Sequence, residues 1–188
     1  MAGAGKTTTA IRNANEFIAE NPGKQNKILM LTLTQTGARE ITNRTNGAIN
    51  GNTMHSFCWK LLRQQYALAH VSAPKILDTD EADRYLLESI VSCCPKNDPE
   101  EVSKAIAQIR SGKKTAADFD PDFGKALNMY YNKLENVNGI DFTGIIERAY
   151  QEILKPEVYQ RYDGMYVMSD ETQDCATCSS INLKIIYK

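Results

Sequence analysis

The run Lys27-Ile28-Leu29-Met30-Leu31-Thr32-Leu33-Thr34 constrains the fold more than any other stretch of the chain. Its apolar residues are consecutive rather than alternate, the pattern of a short strand covered on both faces, as in the parallel sheet of an α/β domain. Helical periodicity flanks it on both sides. Thr7 to Ala19 carries Ala10, Ile11, Ala14, Phe17 and Ile18 near one face and is stopped by Asn21-Pro22-Gly23; Ala38 to Arg44 forms a helix after the strand. Turn, helix, strand, helix is the order in which an α/β sheet is wound. A second short apolar run, Met165-Tyr166-Val167-Met168, reads as another buried strand and ends at Ser169-Asp170-Glu171.

Between these runs the character changes. Thr53 to Leu68 reads as a helix with Phe57, Leu61 and Leu62 inward and Lys60 and Arg63 toward solvent. From about Pro74 to Gly139 three helices are expected, Asp80 to Val91, Pro99 to Arg110 and Phe123 to Val137, with Pro, Asp, Gly and Lys between them and no strand signal. This stretch reads as an all-helical insertion. Asp141 to Leu154 is helical again, and Pro156 breaks it.

Composition sets the class. A chain of 188 residues with 42% apolar content can bury a core with a modest insertion. No apolar run is long enough to span a bilayer, and the first residues form a glycine-rich turn rather than a leader, so no membrane partner and a cytoplasmic location are expected. Five cysteines (Cys58, Cys93, Cys94, Cys175, Cys178) without framework spacing suit a reducing compartment, and Cys175-x-x-Cys178 lacks the second ligand pair of a zinc site. The formal net charge of −1 excludes binding of nucleic acid by bulk electrostatics; such binding would need a local groove.

Two segments carry chemistry. Ala2-Gly3-Ala4-Gly5-Lys6-Thr7 matches the second part of a phosphate-binding loop: glycines let backbone N–H groups turn toward phosphate oxygens, lysine supplies a cation, and the threonine hydroxyl ligates Mg2+ at a helix N-terminus. The leading glycine of the full pattern would fall ahead of Met1, as would the strand before it. Asp170-Glu171-Thr172-Gln173-Asp174 follows an apolar strand, where a phosphate-loop ATPase keeps one carboxylate for Mg2+ and another for the attacking water. The alternative to the first segment's reading is a flexible terminus that happens to contain Gly-Lys-Thr, and an acidic pair like the second is more commonly a solvated turn. Their joint occurrence favours the ATPase.

The Asp170–Asp174 segment resembles motif II of the UvrD/Rep/PcrA-like superfamily 1 DNA helicases. Leu31 to Glu40 resembles motif Ia, with Leu33 where the family often has an aromatic residue and Gln35 where it often has asparagine. Asn52 to Arg63 resembles motif Ib, its Thr53-x-His55-Ser56-Phe57 core intact. Weaker echoes are Ile109 to Lys114 and Ile140 to Ile146, the latter similar to the segment where the family's chain returns to the ATPase core. The resemblance spans essentially the whole chain.

The resemblance implies an α/β fold: a P-loop, RecA-like parallel sheet flanked by helices, incomplete and carrying an all-helical insertion. Residues 1–72 would open the ATP-binding domain (1A), 73–139 would be the insertion (1B-like), and 140–188 would return to 1A. It also implies ATP and Mg2+ as cofactors. Gly3, Ala4, Gly5, Lys6, Thr7 and Thr8 would hold nucleotide, Thr7 and Asp170 the metal, and Glu171 would be the catalytic base beside Lys6. Gln173 would couple nucleotide state to DNA. Thr34, Gln35, His55, Ser56 and Phe57 would lie along single-stranded DNA. Without the family pattern, His55 is an ordinary residue at a helix start and Phe57 a core anchor; Lys113-Lys114 reads as a solvated turn and Trp59 as packing.

The implied activity is ATP-dependent 3′-to-5′ translocation or unwinding of DNA. The partner would be the second RecA-like domain, or the remainder of a helicase, that supplies arginine fingers; this polypeptide alone is expected not to separate strands. The competing expectation is a truncated, catalytically silent fragment that binds single-stranded DNA or a protein partner. A stand-alone phosphate-loop NTPase would leave the motif Ib and motif II segments without a purpose.

Overall fold

The structure, a computed structural model, describes residues 4–169. It is a helix-rich α/β chain that forms two compact units. One takes in the described residues up to Leu62 together with those from Ala149 onward, and the other is Arg63–Arg148.

The first unit is built on a small parallel sheet. Helix α1 (Ala4–Glu20) precedes β1 (Ile28–Thr32), α2 (Gln35–Arg44), β2 (Gly51–Thr53) and the first part of α3 (Met54–Leu68). The strand order is β2-β1-β5, with β5 (Tyr166–Ser169) supplied from the far end of the chain and every pairing parallel. All five residues of β1 are buried, which is why its sequence does not alternate. Ile11 and Ala14 of α1 pack with Ile28, Met30, Ile41 and Ile49, and Ala10, Phe17 and Ile18 flank that cluster, so the apolar stripe legible in the sequence is the face that packs. Asn21 ends α1 by bonding back to the Phe17 carbonyl through both its backbone N–H and its side chain, and Gly23 takes a left-handed φ of 83° just beyond.

Strand β2 was not expected from the sequence. With three residues it is too short to show periodicity, and it exists because Gly51 lets α2 approach: a Cβ there would lie 2.3 Å from the Ala38 carbonyl oxygen.

The second unit holds α4 (Thr79–Cys93), α5 (Pro99–Arg110) and α6 (Pro121–Asn136) around Leu77, Ile90, Val102, Ile106, Phe123, Leu127, Tyr130 and Leu134. The Asp and Pro residues between helices are their start signals. Asp78, Asp98 and Asp120 each cap a helix N-terminus by accepting a backbone N–H, and Pro99 and Pro121 occupy the first helical turn, where no amide is required.

One expectation is corrected here. The stretch from Pro74 to Gly139 is not free of strand: β3 (Lys75–Ile76) pairs in parallel with β4 (Gly139–Ile140). Two residues cannot declare themselves by alternation; the pairing forms because the ends of α4 and α6 bring both segments together. Helix α7 (Phe142–Ile153) follows β4, and one turn, α8 (Pro156–Tyr159), precedes β5. Among the described residues no helix is long and apolar enough to cross a membrane.

Candidate functional site

Parallel strands place the chain segments that follow them at one edge of a sheet. Thr32, the last residue of β1, is in register with Thr53, the last residue of β2. The β1–α2 and β2–α3 turns therefore emerge side by side at the carboxyl edge, the usual place for a ligand in an open α/β sheet.

The first turn carries Thr34 and Gln35. Thr34 is exposed and caps α2, its hydroxyl accepting the Gly37 N–H at 3.0 Å, and Gln35 is the first helical residue, also exposed. Gly37 is required by this compact turn, since a Cβ would sit 2.7 Å from Thr32 Oγ1. The second turn carries His55, Ser56 and Phe57. Thr53 is 5% exposed; its hydroxyl accepts the Ser56 N–H at 3.1 Å and donates to Ser56 Oγ at 2.9 Å, fixing the start of α3. His55 is half-buried, and burial lowers its pKa from the ordinary 6.5, which leaves the imidazole neutral at pH 7. Phe57 points inward, 7% exposed, with its ring edge-on to Tyr162 at 5.6 Å between centroids. The packing places this ring beneath the turn rather than on its surface.

Gly5, Lys6 and Thr7 lie in the opening turn of α1, where backbone N–H groups have no acceptor within the helix. Thr8 is exposed and accepts a hydrogen bond from Arg44 Nη2 at 3.1 Å, while Arg44 Nη1 bonds Glu40 at 3.0 Å. Arg44 ends α2 and Thr34 begins it, about 15 Å apart along the axis at the usual rise per residue. The hydrogen bond from Arg44 thus ties Thr8 to the far end of α2. Gly3, Asp170, Glu171 and Gln173 lie outside the described residues, as do Cys175 and Cys178.

Two polar features escaped the sequence reading. Lys60 Nζ bonds Asn52 Oδ1 at 2.7 Å, tying α3 to β2 beside the second turn; the signal available was its position one helical turn beyond Ser56. The other feature unites the two weak echoes. Arg110, with a side chain only 7% exposed, makes a two-point bridge to Asp141 (2.6 and 2.9 Å) and another to Glu147 (3.0 and 2.8 Å). Tyr130 donates to Asp141 at 2.6 Å and Tyr131 to Glu147 at 3.2 Å. Asp141 also accepts the Gly144 N–H at 2.7 Å, capping α7. Burial alone would raise the Asp141 pKa, but Arg110, Tyr130 and the Gly144 amide together bring it below the ordinary 3.8. The cluster is a fully partnered structural element within the second unit.

The family model described as UvrD/REP helicase N-terminal domain matches residues 1–188. No curated protein matches the chain.

Proposed function

This chain belongs to the UvrD/REP helicase N-terminal domain family, and from that premise we propose that it is the ATP–Mg2+-binding and single-stranded-DNA-binding part of a 3′-to-5′ DNA helicase or translocase. Its small parallel sheet and abundant helices fit the RecA-like domain of such an enzyme. In this reading residues 1–72 and 140–188 are domain 1A and residues 73–139 its 1B-like insertion. The observation that carries the DNA half is the pair of turns at the carboxyl edge, which offers two hydroxyls, an amide and a neutral imidazole from adjacent strands. Thr34, Gln35, His55 and Ser56 would touch the backbone and bases of one strand. Phe57 would contribute from below, as the buried anchor of its turn.

The residues at the start of α1 fit a nucleotide. The opening turn combines amides without intrahelical acceptors, glycine, a lysine and a hydroxyl, which is the donor set phosphates require. We assign Gly3, Ala4, Gly5 and Thr8 to the wall of that loop, Lys6 to the phosphate charge, and Thr7 with Asp170 to the metal shell. Bound Mg2+ would neutralise phosphate charge. Glu171 would take the proton of the attacking water, and Gln173 would link that site to the DNA edge.

Titration of the chain with a fluorescent ATP analogue in Mg2+ tests the nucleotide half. Lys6→Ala should weaken affinity roughly tenfold or more, the weight of one charge-assisted hydrogen bond, whereas Glu171→Gln should bind like the parent. Equal affinity in the parent and Lys6→Ala would remove the assignment. DNA-stimulated ATP hydrolysis in the same three proteins separates an active ATPase from a silent fragment, which would show equal background turnover.

A further inference from the structure

The chain as a whole is slightly acidic, yet between Glu40 and Asp78 it contains no aspartate or glutamate, while Arg44, Lys60, Arg63, Lys75 and both histidines fall there. Helix α3, which begins at the second turn of the DNA edge, has no acid at all. Lys60 is exposed on this helix and four residues beyond Ser56, so the two share a face about 6 Å apart along the axis.

What holds Lys60 matters as much as where it is. Lys75, Lys104, Lys125, Lys133 and Lys155 each pair with a carboxylate, which cancels their charge locally. Lys60 instead rests on a neutral amide oxygen, Asn52 Oδ1 at 2.7 Å, and Asn52 is itself steadied by its own Nδ2 donating to the Asn50 carbonyl at 2.8 Å. An ammonium held this way keeps its full charge and two further N–H donors, and its long side chain loses less freedom when an anion arrives.

We propose that Lys60, oriented by Asn52, contacts the phosphate backbone of single-stranded nucleic acid and extends the binding path beyond Ser56 along the outer side of β2 and α3. This rests on the reading of the Thr53–Phe57 turn as a DNA-binding element and adds a residue which that reading does not contain.

The test is the salt dependence of oligothymidylate binding, followed by fluorescence anisotropy from about 50 to 200 mM salt. Removing one phosphate contact to a single strand should lower the magnitude of the log–log slope by about 0.7. Lys60→Gln should show that decrease together with a several-fold loss of affinity, and Lys60→Arg should restore the slope. Asn52→Ala should keep the parent's slope but bind more weakly, because the charge remains and its orientation is lost. An unchanged slope in Lys60→Gln, with the parent binding normally, overturns the Lys60 contact alone. Parent affinity in Asn52→Ala overturns the orienting role. A parent chain that binds no oligonucleotide at low salt removes the underlying DNA reading and this contact with it. Thermal midpoints of the Lys60 variants should match the parent, since Lys60 is exposed.

Discussion

At the residue scale the most consequential side chain is Arg110. It neutralises two carboxylates within a buried cluster and is itself held in the charged state by them. Arg110→Met would leave Asp141 and Glu147 desolvated and unpaired, at a cost of about 3–5 kcal/mol, measurable by urea denaturation. The pH dependence has a definite sign. Asp141 has a folded pKa below the ordinary 3.8, so its contribution is present above that value and lost as the pH falls through its own lowered pKa. Stability of the parent should therefore drop on acidification below about 4, and Arg110→Met should lose much of that dependence. His55 adds an effect of the same direction. Its folded pKa lies below 6.5, so the unfolded chain takes up protons first and stability declines as the pH falls below that value. Cys58 is sealed in the core and burial pushes its thiol up to about 12, so alkylation at pH 8 should spare it in the folded protein and modify it in urea. None of these environments was visible in the sequence. Arg110 and Asp141 stood in two segments marked as weak echoes, but partnership between side chains far apart in the chain leaves no periodic trace.

Elements that were legible are those whose burial imposes a pattern. The uninterrupted apolar run of β1 and the stripe of α1 both follow from the faces they cover, and α4, α5 and α6 were legible as helices, although their caps Asp78, Asp98 and Asp120 were not singled out. The strands that were missed, β2, β3 and β4, have two or three residues each and depend on neighbours that bring them together. Gly51 shows how strict that dependence is. Gly51→Ala would push a methyl into the Ala38 carbonyl and Ile41, so α2 or β2 must shift, with a loss of about 1–3 kcal/mol. Thr34 offers a milder test, because it is both the cap of α2 and a proposed DNA contact. Thr34→Ala should cost about 1 kcal/mol in thermal or chemical unfolding, and Thr34→Asn, which retains a capping oxygen, should recover most of it.

The whole molecule consists of a unit built on a small parallel sheet and a helix-rich unit, in a chain that belongs to the UvrD/REP helicase N-terminal domain family. Thr34, Gln35, His55 and Ser56 were singled out only through the motif resemblance, because β2 is not legible in the sequence; the structure sets all four just after the carboxyl ends of two strands paired side by side. Phe57 was less legible: the reading from residue type alone, a core anchor, is the one that matches its burial. The nucleotide half depends on whether the opening turn of α1 and the segment after β5 serve one metal ion. Titration of Mn2+ with a slowly hydrolysed ATP analogue, read by electron paramagnetic resonance, addresses this directly in the parent, Thr7→Val, Asp170→Asn and the double variant. We predict nucleotide-dependent Mn2+ binding in the parent, a loss of roughly tenfold or more in each single variant, and a double variant hardly worse than either. Wild-type Mn2+ affinity in either single variant would contradict the account.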